Sequence, residues 1–240
     1  MALASELFEA ILDRYVQGEG EVVSFGTSEL SEEFVKKVAI KIEAENVDIS
    51  VVPTSARIAA ILSEMNVPTT TLNEEEIDVA IEFVDQVDQY FNFIKRDSHS
   101  LVRDKMIAQS ADELIVVAKE KHSVKRLSGM IPMEIAIFGW KRTLNQLSKF
   151  GEARLRIENG IPVTTETNYY LADVLVDDLF SLDEFNLSVL QIPGVIETGL
   201  FIGYADRAVL HNGSITVKSR MDYSKQNEIR HERLEGNFTI

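Results

Sequence analysis

Residues 22–29 read VVSFGTSE, in which a mostly apolar run is followed by a glycine, two hydroxyl residues and a glutamate. The segment from Val22 to Phe25 is short and apolar, which predicts a buried strand. Beyond the turn at Gly26, apolar residues recur at helical spacing from Phe34 to Ile42. The stretch therefore predicts a strand, a tight turn and a helix, which is the repeating unit of α/β proteins.

The same alternation continues on both sides of this stretch. An amphipathic helix from Leu7 to Tyr15 precedes it, and glycines at 18 and 20 end that helix. Further strands are predicted at 47–52, 79–84 and 113–118, and further helices at 56–65 and 101–110. Strands that alternate with helices predict an α/β fold with a doubly wound, mostly parallel sheet.

The pattern changes from Met133 onward. Short strands predicted at 133–138, 154–157 and 199–202, with helices at 144–150 and 179–190, indicate a smaller α+β lobe. The segments 208–210 and 215–217 flank an Asn-Gly turn, which predicts a hairpin. We therefore assign residues 1–131 and 206–240 to the α/β domain and residues 132–205 to the small lobe. The charged tail from Lys218 to Ile240 is expected to be an exposed extension.

Composition narrows the function classes. The 240 residues carry a formal net charge of −15, so non-specific binding to nucleic acid or to an anionic membrane is not expected. There is no cysteine, which excludes disulfides and thiolate chemistry. The four histidines have no metal-ligand spacing, so we expect no metal site. The N-terminus does not resemble a signal peptide and no apolar run would span a membrane, so the expected location is the cytoplasm.

Two segments follow predicted strands and carry polar groups suited to a ligand. Residues 24–29, SFGTSE, lie before a helix whose first backbone N–H groups would bind a phosphate, although many such turns bind nothing. Residues 85–88, DQVD, end a strand at the edge where open α/β sheets bind ligands. Two carboxylates there would handle the hydroxyl protons of a sugar. The alternative is an acidic loop with an N-cap residue.

A basic cluster stands out against the acidic background. Residues 95–105 read KRDSHSLVRDK and concentrate two lysines and two arginines. The cluster would attract an anion locally, or it is a solvated helix face with balanced charges. His99 is a general base by residue type, but a single loop histidine is more often only exposed.

In chain order, these segments resemble the A-type ribose-5-phosphate isomerases. The family's Gly-Thr-Gly-Ser-Thr corresponds to residues 26–30, GTSEL, and its Asp-Gly-Ala-Asp-Glu to residues 85–89, DQVDQ. Its Lys-Gly-Gly-Gly corresponds to residues 95–98, KRDS, and its Ala-Leu-Thr-Arg-Glu-Lys to residues 100–105, SLVRDK. Order and spacing agree from about Leu7 to Lys218, and this span includes LNE at 72–74 and IPGV at 192–195.

The resemblance implies a Rossmann-like domain with a ferredoxin-like lobe, and the interconversion of ribose 5-phosphate and ribulose 5-phosphate without a cofactor. A carboxylate would move a proton between C2 and C1 through an enediolate, while a lysine stabilises the oxyanion. Asp104 corresponds to the base, Asp85 and Asp88 to the two aspartates, and Lys95 to the lysine. The residues predicted to bind the substrate are Gly26, Thr27, Ser28, Arg96, Ser98, Lys121 and His122. The family also implies a homodimer or homotetramer.

Three departures from the family motifs bear on activity. Asp104 is one methylene shorter than the family's glutamate, and a misplacement of about 1 Å can cost on the order of 100-fold in rate. Residues 96–98, RDS, replace three glycines, which makes close backbone approach to a ligand harder. Glu29 in the phosphate loop would repel a phosphate, so either its side chain points away or the ligand differs.

Two other functions remain open at the level of sequence. A sugar-phosphate binder without catalysis would fit the altered glycine-rich loop and Glu29. Another enzyme on the same scaffold, such as a lactonase or an amino-sugar isomerase, would need a different arrangement of histidine or aspartate residues.

Overall fold

A computed structural model describes residues 2–177, 179 and 181–221, with side chains from Glu6 onward. A single 3-10 turn, Glu120–His122, lies among the described residues. The described α-helices are α1 (Ala2–Tyr15), α2 (Glu29–Glu45), α3 (Ala56–Glu64), α4 (Leu101–Ser110), α5 (Trp140–Leu147) and α6 (Leu182–Leu190). None of the helices in this part of the chain is long and apolar enough to cross a membrane.

The strands of the described residues form three sheets and one small ribbon. They are β1 (Glu21–Phe25), β2 (Ile49–Pro53), β3 (Ile77–Phe83), β4 (Gln86–Asp88), β5 (Phe93–Ile94), β6 (Ala111–Lys119), β7 (Ser123–Val124), β8 (Gly129–Ile135), β9 (Glu152–Leu155), β10 (Ile157–Glu158), β11 (Ile161–Pro162), β12 (Tyr170–Val176), β13 (Val195–Thr198), β14 (Leu200–Phe201), β15 (Arg207–His211) and β16 (Ile215–Ser219).

The central sheet has six strands in the order β16-β15-β6-β3-β1-β2. All neighbours are parallel except β15 and β16, which form the predicted hairpin. The chain leaves β1 toward β2 on one side and returns to β3 on the other. This reversal is a topological switch point, where open α/β sheets have their ligand crevice at the carboxyl ends of the strands.

Both faces of the central sheet are covered, as the predicted doubly wound architecture requires. On one face, α1, α2 and α3 pack against apolar side chains such as Val23 and Phe25 of β1. On the other face, Val22 of β1 belongs to a second core that includes Ile107 and Ala108 of α4. Successive side chains of a strand point to opposite faces, so the burial of both Val22 and Val23 shows that β1 is covered on both sides.

The small lobe is a four-stranded antiparallel sheet in the order β13-β8-β12-β9, with α5 after β8 and α6 after β12. This arrangement is the ferredoxin-like pattern. The strand predicted at 133–138 corresponds to β8, which begins and ends earlier, at Gly129 and Ile135. Phe138 lies beyond the end of β8 and is 97% exposed. The sequence prediction also missed β12, where Asp173 interrupts the apolar pattern and pairs with Arg156.

A third sheet, β14-β5-β4-β7, connects the two larger ones. In this sheet β14 pairs with β5, and β5 directly precedes Lys95. The division into residues 1–131 with 206–240 and residues 132–205 stays a prediction. Of the tail predicted to be exposed, residues 222–240 lie outside the described residues.

Candidate active site

Predicted substrate-binding and catalytic residues follow the carboxyl ends of β1 and β3 at the switch point. Residues 26–28 form the turn between β1 and α2, and Asp85 follows β3. The N–H of Gly26 donates to the carbonyl of Ile81 at 3.0 Å, which ties the two strand ends together. The two strands are adjacent and parallel, so segments far apart in the sequence meet at this edge.

A buried polar cluster surrounds Asp104. Its carboxylate accepts hydrogen bonds from Thr27 Oγ1 at 3.1 and 3.2 Å and from Ser98 Oγ at 2.6 Å. The ammonium of Lys95 lies 2.8 Å from Oδ2 of the same carboxylate. The side chain of Asp104 is 0% exposed and that of Lys95 is 1% exposed. A carboxylate and a cation are thus held together in a site without bulk water.

Glu82 of β3 is the second carboxylate on Lys95. The Nζ atom of Lys95 donates to Oε2 of Glu82, while Oε1 of Glu82 has no hydrogen-bond partner among the described residues. Burial raises the pKa of Glu82 to about 7, with Lys95 opposing the rise and Asp104 adding to it. Burial by itself would lower the pKa of Lys95, but Asp104 and Glu82 outweigh it and raise that pKa.

Helix α4 carries Asp104 in its first turn. Two polar side chains accept hydrogen bonds from the free N–H groups at the start of this helix. Ser100 is the N-cap and accepts from the N–H of Arg103 at 3.3 Å. Glu134 of β8 accepts from the N–H of Val102 at 3.3 Å. The start of a helix favours negative charge, which helps to stabilise the buried carboxylate of Asp104.

Beside the buried cluster, an open cleft of about 580 Å³ lies over the carboxyl ends of β3 and β6. The residues that line it include neither Asp104 nor Lys95. The lining residues are Leu7, Phe8, Ser28, Glu29, Leu30, Phe83, Val84, Asp85, Asp97, Val117, Ala118, Lys119, His122 and His211. The cleft therefore combines an apolar wall with several ionisable side chains.

The other two predicted catalytic aspartates, Asp85 and Asp88, lie in different surroundings. Asp85 lines the cleft, and its Oδ2 accepts from the N–H of Arg96 at 2.6 Å. Asp88 is buried and holds its own turn, where Oδ1 accepts from Tyr90 N at 2.8 Å and Oδ2 from Asn92 Nδ2 at 2.9 Å. The structure thus brings Asp85 to the cleft, whereas the carboxylate of Asp88 is occupied within the β4–β5 hairpin.

The residues predicted to contact the phosphate also form hydrogen bonds within the protein. Ser28 lines the cleft, and its hydroxyl caps α2 by accepting from the N–H of Ser31 at 3.0 Å. Thr27 points to Asp104 rather than to the cleft. The guanidinium of Arg96 donates to the carbonyls of Met130 at 2.8 Å and Ser128 at 2.7 Å.

The lysine and the two histidines of the cleft come from β6, from the turn that follows it, and from β15. Lys119 and His211 are paired across these parallel strands. His122 lines the same cleft, whereas Lys121 is exposed and lines a neighbouring one. Burial, followed by the nearby lysines, lowers the pKa of His122. Burial, Lys119 and His122 together lower the pKa of His211.

Sequence reasoning missed three residues of this site. Glu82 stood inside a predicted strand, and Lys119 followed another, so neither belonged to a motif. His211 belonged to the predicted hairpin turn. A charged residue inside an apolar strand pattern was the one available signal, and it pointed to Glu82. No group of His, Asp and Glu side chains in the described ranges has the arrangement of a metal site.

The fold and the site define an α/β protein with a buried carboxylate–lysine cluster and an adjoining cleft at a topological switch point. Residues 50–214 match the family model for ribose 5-phosphate isomerase A (phosphoriboisomerase A). The chain therefore belongs to the ribose 5-phosphate isomerase A family.

Individual relatives agree with this assignment. Ribose-5-phosphate isomerase A 2 of Oceanobacillus iheyensis is 32% identical over 209 residues, which cover 85% of this chain and 92% of that protein. A solved structure of D-ribose-5-phosphate isomerase in complex with phospho-erythronic acid has a TM-score of 0.84 and 26% identity, covering 91% of this chain and 98% of that one. The Plasmodium falciparum ribose 5-phosphate isomerase structure, at 24% identity and a TM-score of 0.84, shares the fold.

Proposed function

We propose that this chain interconverts ribose 5-phosphate and ribulose 5-phosphate, with Asp104 as the base that moves a proton between C2 and C1. The observation that carries the proposal is the ion pair between Asp104 and Lys95, 2.8 Å apart and buried at the switch point. A carboxylate would take the proton, and a neighbouring ammonium would stabilise the enediolate that forms.

The cleft suits the phosphate end of such a substrate. Helix α2 begins at its edge, and the first N–H groups of a helix bind anions. Lys119 adds a cationic side chain, and the imidazoles of His122 and His211, whose pKa values are lowered, add neutral hydrogen-bonding groups. Because Glu29, Asp85 and Asp97 also line the cleft, a phosphate there would depend on Lys119 and on the N–H groups at the start of α2.

The sugar would extend from the cleft toward the buried cluster. Asp85 lines the cleft and holds the N–H of Arg96, so its carboxylate is suited to ring opening and to hydroxyl protons. Ser98 Oγ occupies a hydrogen-bonding position on Asp104 that a substrate hydroxyl would need. Binding would therefore displace the Ser98 hydroxyl and open the segment 96–99.

The test is the exchange of the C2 hydrogen of ribose 5-phosphate in deuterated water, followed by NMR. Asp104→Asn keeps the size but removes the base, so exchange should fall by at least ~10²-fold. Substrate binding, measured by calorimetry, should change little because the loss is specific to the transition state. Asp104→Glu retains a base of the family type and should retain exchange.

Asp206→Asn is the matched control. Its carboxylate accepts from the N–H of Leu114 at 2.9 Å, near the beginning of β6 and away from the cleft. This variant should exchange at the parent rate. If Asp104→Asn also exchanged at the parent rate, Asp104 would not be the base. If the parent bound ribose 5-phosphate without exchange, the chain would be a sugar-phosphate binder instead.

The proposal includes a cytoplasmic location in the pentose phosphate pathway and a homodimer or homotetramer. Exposed apolar side chains on the small lobe, such as Phe138, Ile161 and Leu187, support an assembly through that lobe. Sedimentation should give a species larger than the monomer at micromolar concentration. A clean monomer would contradict this part of the proposal.

A further inference from the structure

We propose that a second cavity, between α1 and the β15–β16 hairpin, binds a small carboxylate ligand that has an apolar body. The cavity has a volume of about 420 Å³, which is within the size range of small-molecule sites. None of the described residues lines both this cavity and the cleft assigned to ribose 5-phosphate. The inference therefore goes beyond the proposed isomerase activity and does not depend on it.

Apolar side chains form most of the wall of this cavity. β16 is the edge strand of the central sheet, and its residues 215 and 217 share one face because successive side chains alternate. Val217 pairs with Val209 of β15, so these two side chains are neighbours across the ladder. Ile215 is 42% exposed, so this apolar surface is only partly covered. Ala10 and Ile11 of α1 complete the apolar lining.

The hydroxyl group of Tyr15 is the observation that points to a ligand. Tyr15 ends α1, lines the cavity and is 7% exposed. Its hydroxyl oxygen has no hydrogen-bond partner among the described residues. A buried hydroxyl without a partner costs free energy, and most buried polar side chains in proteins are paired. A ligand atom that accepts a hydrogen bond from this O–H would remove the cost.

The charge at the cavity is positive. Arg14 is exposed, and its guanidinium lies over the ring of Tyr15, 5.6 Å from the centroid. Within the described part of the chain, Arg14 is the one charged residue that lines the cavity. The other charges near the Tyr15 side chain are Arg207 and Glu113, which pair with each other. The cavity thus offers one arginine to an anion without an acidic side chain in its lining.

A carboxylate with an apolar body fits this combination of groups. A guanidinium donates two parallel hydrogen bonds to a carboxylate, and a phenolic O–H donates a third. Burial raises the pKa of Tyr15, so the hydroxyl keeps its proton at neutral pH. The apolar wall disfavours an ion that needs water on all sides, such as inorganic phosphate. Benzoate and hexanoate represent the aromatic and the aliphatic members of this ligand class.

The first experiment titrates the full chain, labelled with nitrogen-15, with benzoate and with hexanoate at constant ionic strength, followed by NMR. Signals of α1 and of the hairpin should shift, with a Kd on the order of 1 mM or lower for at least one probe. Acetate lacks the apolar body and benzyl alcohol lacks the charge, so each should bind at least ~10-fold more weakly. A chain that binds neither benzoate nor hexanoate would overturn the inference.

Two substitutions test the polar groups. Tyr15→Phe removes only the hydroxyl, and Arg14→Gln removes the charge from an exposed position. Each should raise the Kd of the bound probe by about tenfold, the worth of a hydrogen bond to a charged group. The matched controls are Tyr204→Phe, in the core on the other face of the sheet, and Arg142→Gln, on the small lobe. Both controls should keep the Kd of the parent. Unchanged binding in Tyr15→Phe and Arg14→Gln would contradict the site.

Stability separates a ligand-binding role of Tyr15 from a structural one. Because the hydroxyl has no partner among the described residues, Tyr15→Phe should not lower the urea midpoint of the protein without ligand. Saturating benzoate should raise the midpoint of the parent more than that of Tyr15→Phe. A Tyr15→Phe variant that lost stability and bound the probes like the parent would assign the hydroxyl to the fold alone.

Competition separates this site from the substrate cleft. Saturating ribose 5-phosphate should leave the Kd of benzoate unchanged, since the two cavities have separate linings in the described chain. Displacement of benzoate by ribose 5-phosphate would place both ligands in the cleft and refute the inference. The readouts are binding and stability, so they remain decisive even if the chain turned over no sugar phosphate.

Discussion

A Cβ atom placed on Gly26 would lie 1.8 Å from Oε2 of Glu82, so the glycine leaves the space that this buried carboxyl group fills. The family resemblance assigns Gly26 to the phosphate loop. In this structure the missing side chain also admits a charged group to the cluster around Lys95. The two residues come from adjacent parallel strands, which explains their proximity.

Gly26→Ala should therefore be strongly destabilising. Overpacking of a filled interior costs about 1–3 kcal/mol, and a contact this short should reach at least the upper part of that range. Urea denaturation of parent and variant measures the loss. The double variant Gly26→Ala/Glu82→Ala removes the carboxyl group that the new methyl group would meet, so it should be more stable than Gly26→Ala. If the second substitution brought no recovery, the close approach would not be the cause.

The free energy of unfolding should depend on pH through the titration of Glu82. Its pKa is about 7 in the folded state against an ordinary value of 4.5, so the folded state binds the proton more tightly. The stabilisation is therefore complete below pH 4.5 and is lost as the pH rises through about 7. Glu82→Leu has no such group. The free energy of unfolding of the parent minus that of Glu82→Leu should fall over this window by on the order of 1–3 kcal/mol. A difference independent of pH would contradict the shift.

Glu29 should weaken substrate binding in the parent. It lies in the first turn of α2 and lines the cleft that we assign to the phosphate. Like charges at partly solvated positions repel by about 1 kcal/mol, so Glu29→Gln should lower KM by about fivefold. The effect should shrink at high salt. Glu33→Gln, an exposed change on the same helix that does not line the cleft, should leave KM unchanged. An equal KM for both variants and the parent would place the phosphate elsewhere.

Substitutions at Lys119 and at Lys121 distinguish between two positions for the phosphate. Lys119 lines the cleft beside His211, whereas the predicted contact Lys121 lines the neighbouring cavity. Lys119→Met should raise KM by about tenfold, the worth of one charge-assisted hydrogen bond, with kcat little changed. Lys121→Met should have a much smaller effect. The opposite ranking would support the prediction made from sequence.

Hydrophobic periodicity was sufficient to predict much of the fold. Helix α4 begins and ends at the predicted residues, Leu101 and Ser110, and the hairpin of β15 and β16 lies where the Asn-Gly turn indicated. The misses have physical causes. β12 carries Asp173 at a buried position because Arg156 pairs with it, and such a pair is invisible to a local pattern. The short strands β4, β5 and β7 have two or three residues each, too few to show a period.

By itself, the sequence determined the alternation of strands and helices and the family, because these features depend on residue type and local spacing. Only the tertiary structure decided which polar groups meet. Thr27 contacts Asp104, Arg96 donates to backbone carbonyls of β8 and the residue before it, and Asp88 closes its own turn. It also placed Glu82 on Lys95 and His211 beside Lys119. The reason is that a side chain takes its hydrogen-bond partner from whatever strand or helix packs beside it, and parallel strands bring together residues that lie far apart along the chain.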